Sequence, residues 1–369
     1  MTSQKNGHHT FDGCPVLIGS LPLRSHEEAL EWILKATPEI PLWPQLPSNP
    51  VERMLPQFAE GIPCIREENP ASQEDGKVYF DTAYPDFDEA MLAFYEDYLA
   101  AAENQAALDN SRFAISRDRG AGLYLLADKI QELAESKAVK GQITGPFTML
   151  TGIKDNQGRA GYFDETVRDM VSKAIAMKAA WQVRLLGRDS SGPVLLFIDE
   201  PALAGLGSSA FISVTTEDIR EMINETAAAI HLAGGLAGIH VCANTDWGLL
   251  LDSEIDILSF DAYDFFDRIA PLREEMLSFL DRGGIIAWGG IPTSREEDIT
   301  RETADSLVKL WHEQMTVFTG SGRDEKDILR QTLITPSCGT GSLSPELAER
   351  VLALTREVSR KLRKELLVG

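Results

Sequence analysis

Short apolar runs alternate with long amphipathic stretches along almost the whole chain. That rhythm constrains the fold more than any single motif. The runs fall at 16–20 (VLIGS), 40–45 (IPLWPQ), 140–145 (KGQITG), 193–199 (PVLLFID), 236–242 (LAGIHVC), 255–261 (IDILSFD), 284–290 (GIIAWGG) and 331–337 (QTLITPS). They are continuous rather than alternating, as in parallel strands buried on both faces. Helical patterns occupy 25–37, 163–187, 215–233, 266–281, 296–319 and 345–366. Ser344 caps the last, with Pro345 at its first helical position. Eight strand–helix units predict an α/β protein, a (β/α)8 TIM barrel. A doubly wound open sheet is the alternative, but no Gly-x-Gly-x-x-Gly turn follows the first run.

Residues 62–138 exceed one strand–helix unit. They hold a loop (ENPASQEDGK, 68–77), a strand-like VYF (78–80) and helical patterns near 86–108 and 119–137. We read them as an insertion between strands 2 and 3, packed on the barrel. Residues 1–369 then form a single domain, with 1–12 a disordered tail.

The charge balance of −22 argues against nucleic acid and anionic membrane as partners, because both are polyanions. It serves equally as a solubility trait. No apolar run approaches the ~20 residues that span a bilayer, and the start MTSQKNGHHT lacks the apolar stretch of a signal peptide. Four dispersed cysteines make no disulfide framework, so a cytoplasmic protein is expected. Cys14 and Cys64 read as ordinary buried or loop thiols.

Cys242 and Cys338 end strand-like runs, and His240 lies two residues before Cys242. Residues two apart in a strand point to one side, so His240 and Cys242 can grip one ion. An imidazole and two thiolates suit zinc (Zn2+), and three protein ligands leave its fourth position open for a substrate. The bland alternative is packing, since free cysteine behaves as a small hydrophobe. Ser20, the pair Asp199–Glu200 and Asp261 also end strand runs, which in a barrel form the active-site rim. The carboxylate pair reads as a polar strand end, as a helix cap, or as a site for an ammonium group or acid–base work. Asp261 reads as a fourth ligand, a partner of His240, or a solvated group. The turn 289–294 (GGIPTS) follows the seventh strand; it reads as a phosphate site or, preferably, a turn in which Thr293 or Ser294 caps a helix. Trp43, Trp247 and Trp288 are candidates for a pocket wall or the core.

Assembled in order, IGS (18–20), TGPFT (144–148), IDEPAL (198–203), HVC (240–242) and SCG (337–339) resemble the cobalamin-independent methionine synthase family. The match is to its C-terminal catalytic barrel. It extends more loosely to the superfamily containing uroporphyrinogen decarboxylase and corrinoid:coenzyme M methyltransferases. The resemblance implies a zinc methyltransferase making methionine from homocysteine, with His240, Cys242 and Cys338 as ligands and Asp261 at the place of a further ligand, there a Glu. It implies that Ile18, Gly19, Ser20, Asp199 and Glu200 bind the amino acid. The family also uses a Glu after the second strand, where this chain has Trp43-Pro44-Gln45. It implies a His after the seventh strand that protonates a departing folate nitrogen, and Thr293 stands there. Family members also carry an N-terminal half that helps to bind methylfolate, and 369 residues leave no room for it. A methylcorrinoid, free or on a corrinoid protein, is therefore the expected donor. The alternatives are a coenzyme M-type or other thiol methyltransferase, a uroporphyrinogen decarboxylase-like enzyme, and a non-catalytic zinc-binding barrel.

Overall fold

Strands in chain order are β1 (Cys14–Pro15), β2 (Ile65–Glu67), β3 (Val78–Phe80), β4 (Val139–Thr144), β5 (Val194–Asp199), β6 (Leu236–Val241), β7 (Ile257–Phe260), β8 (Ile285–Ile291) and β9 (Thr332–Pro336). This computed structural model describes residues 9–67, 77–133, 136–207, 211, 213–320 and 322–368. Seven strands form one curled parallel sheet, ordered β1-β9-β8-β7-β6-β5-β4. β4, β5, β7, β8 and β9 are buried along their whole length, which is why their sequences run apolar without alternation.

The expected strand at 40–45 forms no continuous ladder. Pro41 and Pro44 have no N–H to donate. The segment still touches both edges of the sheet by single parallel bridges, Ser20 with Gln45 and Leu42 with Lys140. Lys140 N–H donates to the Pro41 carbonyl (2.8 Å), and Gln45 N–H to the Gly19 carbonyl (3.0 Å).

The helices are α1 (His26–Ala36), α2 (Phe87–Glu103), α3 (Ala121–Lys129), α4 (Pro146–Gly152), α5 (Glu165–Gly187), α6 (Thr216–Leu232), α7 (Trp247–Leu251), α8 (Ala262–Ile269), α9 (Arg273–Asp281), α10 (Glu296–Arg301), α11 (Ala304–Met315), α12 (Glu325–Arg330) and α13 (Pro345–Arg363). The Ser344 hydroxyl accepts from Leu347 N–H at the start of α13, as the Ser-Pro pair predicts. Two expected helices are broken. Pro271 opens a short 3-10 turn between α8 and α9. Extended Glu302 separates α10 from α11, which restarts on a Thr303 capping box. Among the described residues, no helix is long and apolar enough to cross a membrane.

Within 62–138, β2 and β3 pair as an antiparallel hairpin, and α2 and α3 follow. Phe80, Phe94, Phe113 and Leu123 share one buried cluster with Ile143 and Ile198 of the sheet. The loop at 68–76 lies outside the described residues, as do residues 1–8. Within the expected 1–12 tail, Phe11 is buried and its N–H bonds to the Arg330 carbonyl. Apolar contact and a backbone bond anchor the chain there.

Candidate metal centre and its cavity

Strand register sets the first row of the site. Thr144 is opposite Asp199, Asp199 is opposite His240, and His240 is opposite Ser259. Register partners in a parallel sheet point to the same face, so these four side chains form one row across β4 to β7. Cys242 lies two residues beyond His240 on the same side, and Cys338 follows β9. In a flat sheet, β6 and β9 would be three spacings apart, roughly 14 Å. The ligand atoms of His240, Cys242 and Cys338 instead lie within 4.8 Å of one another. Curl of the sheet closes that gap.

His240 is fixed from one side. Its Nδ1 pairs with Ser259 Oγ at 2.9 Å, while its buried Nε2 has no hydrogen-bond partner. A buried ring nitrogen without a partner normally costs stability, so this atom fits a metal ligand. The neighbouring Cys338 thiol holds Cys242 below the ordinary thiol range, while Cys242 and burial push Cys338 up. One imidazole nitrogen and two sulfurs are a donor set that fits zinc.

Asp199 is 7% exposed and its Oδ1 has no partner. Burial pushes its carboxyl up to about 6, opposed by His240 and by Lys140. Lys140 is itself buried inside the sheet and donates to the Ile18 carbonyl (2.5 Å). Burial pushes its ammonium down to about 8.

Of the two carboxylates, Glu200 takes the helix-cap reading. Its oxygens accept from Phe147 N–H (2.9 Å), Thr148 N–H (2.8 Å) and the Thr148 hydroxyl (2.6 Å). It therefore turns away from Asp199 to cap α4. A Cβ on Gly145 would come within 2.2 Å of its Oε1, so the glycine of TGPFT makes room for the glutamate of IDEPAL. Burial pushes Glu200 up to about 7 from 4.5 despite three donors. Between those pH values the folded chain keeps a proton that the unfolded chain has released, so stability falls as pH rises. The loss from this group is roughly 3 kcal/mol. Urea unfolding at a series of pH values should show that decline, and Glu200→Gln should lack it. Equal slopes would remove the assignment.

Asp261 is neither solvated nor the partner of His240. It is 2% exposed, its Oδ1 accepts from Asp264 N–H at the start of α8, and Ser259 takes the imidazole. It is not among the three residues whose ligand atoms cluster. Thr293 pairs with Ser337 Oγ (2.9 Å). Neither Thr293 nor Ser294 caps α10, whose N-cap is Arg295. Trp43 and Trp288 are core, donating to Gln182 and Gln314 respectively, and Trp247 is also buried. Cys14 and Cys64 are buried thiols.

A cavity of about 340 Å³ opens on these groups. Ile18, Ser20, Asp199, His240, Cys242 and Cys338 line it. Gly19 does not; its carbonyl is taken by Gln45. The Ser20 hydroxyl accepts from Gly341 N–H (3.3 Å). A Cβ at Gly339 would come within 2.2 Å of Ser20 Oγ, so the SCG glycine permits this approach. Gln45, Glu52 and Arg53 also line the cavity. Sequence reading missed Ser259, Glu52, Arg53 and Lys140. Only Ser259 left a signal, two residues before Asp261 in a strand run. Glu52 is held by His26 (2.8 Å), Leu46 N–H (3.0 Å) and Asn49 (3.0 Å), which fixes the loop that carries Arg53.

No family model matches the chain. A methionine synthase from Methanothermobacter thermautotrophicus is 26% identical over 180 residues, covering 47% of this chain and 51% of that protein. Over that stretch the chain resembles a methionine synthase in sequence. The match spans about half the length of that curated relative. Among solved structures, a methyltransferase from Methanosarcina mazei aligns over 94% of both chains with a TM-score of 0.52 at 12% identity, a likeness of fold. A Listeria monocytogenes chain provisionally described as a vitamin-B12-independent methionine synthase gives a TM-score of 0.44 at 16% identity, over 76% of this chain and 87% of that one.

Ser259→Ala would free the imidazole to rotate and to change tautomer. Loss of such a supporting bond typically lowers metal affinity about 10- to 100-fold. Chelator competition on the zinc-loaded variant measures this, and an unchanged affinity would refute the role.

Proposed function

We propose that this chain is a zinc-dependent methyltransferase that moves a methyl group onto the sulfur of homocysteine. In this reading it is one domain, a closed (β/α)8 barrel with 40–45 as second strand and 62–138 as an insertion. One observation carries the reading. Two sulfurs and an unpartnered imidazole nitrogen converge within 4.8 Å, on a cavity that also holds the unpartnered carboxylate oxygen of Asp199.

His240 Nε2, Cys242 Sγ and Cys338 Sγ would hold the ion, which supplies a preference for the thiolate form of an added thiol. The protein's own groups do the rest. Ser259 aims the imidazole. Asp199 Oδ1 takes the ammonium of the amino acid, and the Ser20 hydroxyl contacts its other end. Holding both ends sets the sulfur in line with the incoming methyl, and orientation supplies much of the rate.

The donor in this reading is a methylcorrinoid, free or carried on a protein. Thr293 supports it: the residue is 5% exposed and its hydroxyl is bonded to Ser337, so that position has no acid to protonate a departing folate nitrogen. Turnover with methyltetrahydrofolate and none with methylcobalamin would overturn the donor assignment. Coenzyme M fits less well as acceptor because it has no ammonium for the buried carboxylate of Asp199.

Zinc content and zinc K-edge absorption on one sample test the whole reading. The expected result is about one zinc per chain, with an added sulfur neighbour when homocysteine is present. No zinc after reconstitution would sink it. Zinc that ignores homocysteine would favour a structural site.

A further inference from the structure

We infer that Lys140 is a positioning residue: it is the buried counter-charge of Asp199 and the clasp on the chain segment that carries Ser20. The charge pairing is a property of the chain itself, and its kinetic consequence rests on the thiol methyltransferase reading.

The charge content of the sheet carries the inference. Its seven strands hold a single lysine or arginine, Lys140, and a single acid, Asp199. The two lie on neighbouring strands, β4 and β5, and on the same face. Thr144 is opposite Asp199, and Lys140 comes four residues before Thr144, so alternation returns it to that side. Lys140 is 1% exposed, and Asp199 is buried as well. An ionised group in a dry interior is costly unless an opposite charge accompanies it. The other titratable base in the strands is His240, which is neutral when it serves as a ligand.

The lysine side chain extends along the sheet toward the carboxylate. Its Nζ donates to Gln142 Oε1 (3.3 Å) and lies 4.7 Å from the centre of the Phe197 ring. Gln142 and Phe197 are register partners, and on this face they form the row directly below Thr144 and Asp199. Burial pushes the carboxyl up and the ammonium down, and each group opposes the other's shift.

The same ammonium donates to the Ile18 carbonyl (2.5 Å), so it reaches from one end of the strand order to the chain just past the other. The next two carbonyls are held too, Gly19 by Gln45 N–H (3.0 Å) and Ser20 by Thr340 N–H (3.1 Å). Three successive carbonyls are thus fixed by three distant parts of the chain, and Lys140 is the charged one. Ile18, Ser20 and Asp199 all line the cavity. One buried ammonium therefore stands behind both a placed hydroxyl and a charged carboxylate on the cavity wall.

A double-mutant cycle in urea unfolding of the full chain, with chelator present, tests the pairing. Lys140→Met and Asp199→Asn should each raise the unfolding constant about a hundredfold, because each leaves a buried charge unpaired. The double variant should be about tenfold more stable than the product of the two effects. If Lys140→Met alone does not fold, a folded double variant still shows the coupling. Additive effects, or a double variant that does not fold, would overturn the pairing. Kinetics of zinc-loaded Lys140→Met test the clasp. KM for homocysteine should rise about tenfold, with kcat and zinc content near wild type. A lysine that only stabilises the fold would lower the active fraction, and so kcat, at an unchanged KM; that result would overturn the positioning role. If the wild-type zinc protein methylates no thiol, the function proposed above fails, and the inference about Lys140 stands or falls on the unfolding cycle.

Discussion

Cys338→Ser is expected to lose zinc and, with it, methyl transfer. Serine offers a harder oxygen that is protonated at neutral pH, so the site keeps one imidazole and one thiolate. The change also removes the neighbouring thiol that holds Cys242 below the ordinary thiol range. Disturbing a residue that only supports a ligand already costs about 10- to 100-fold in metal affinity, and loss of a ligand should exceed that. Zinc per chain after dialysis, paired with turnover of homocysteine, measures the effect. Cys338 is only partly buried, so thermal stability of the metal-free protein should change little. Full metal and full activity in the variant would refute the role of Cys338.

Asp199→Asn is expected to lower kcat/KM for homocysteine by roughly a hundredfold. The substitution keeps the shape and removes the charge that faces the ammonium. Asp199 is not among the clustered ligand atoms, so zinc content should stay at the wild-type level. That separates a substrate group from a metal group. A variant that loses zinc and activity together would reassign Asp199 to the metal centre. One that loses neither would remove it from the site.

The two motifs around Asp199 show where sequence reading stops. Asp199 and Glu200 are adjacent and chemically alike, and both end the same apolar run. Consecutive residues at a strand end point in opposite directions. One carboxylate therefore faces the cavity with an unpartnered oxygen, and the other caps α4. Asp261 met the same fate, since the N–H groups at the start of α8 claimed its Oδ1. Local backbone donors compete for carboxylates at strand ends, and no spacing in the sequence announces which one they will take.

The sequence by itself determined the alternation of buried strands and helices, because continuous apolar runs have only one stable place, between two packed layers. It also determined that His240, Cys242 and Cys338 lie at strand ends, since those ends are where the apolar runs stop. The tertiary structure decided the rest. Curl of the sheet brought strands β6 and β9 together. Register set Ser259 beside His240 and Asp199 on its other side. Two prolines reduced the segment 41–45 to single bridges. A loop with no periodic signal carried Arg53 and Glu52 to the cavity wall. These are contacts between residues far apart in the chain. They depend on how whole elements pack, which no local pattern of side chains encodes.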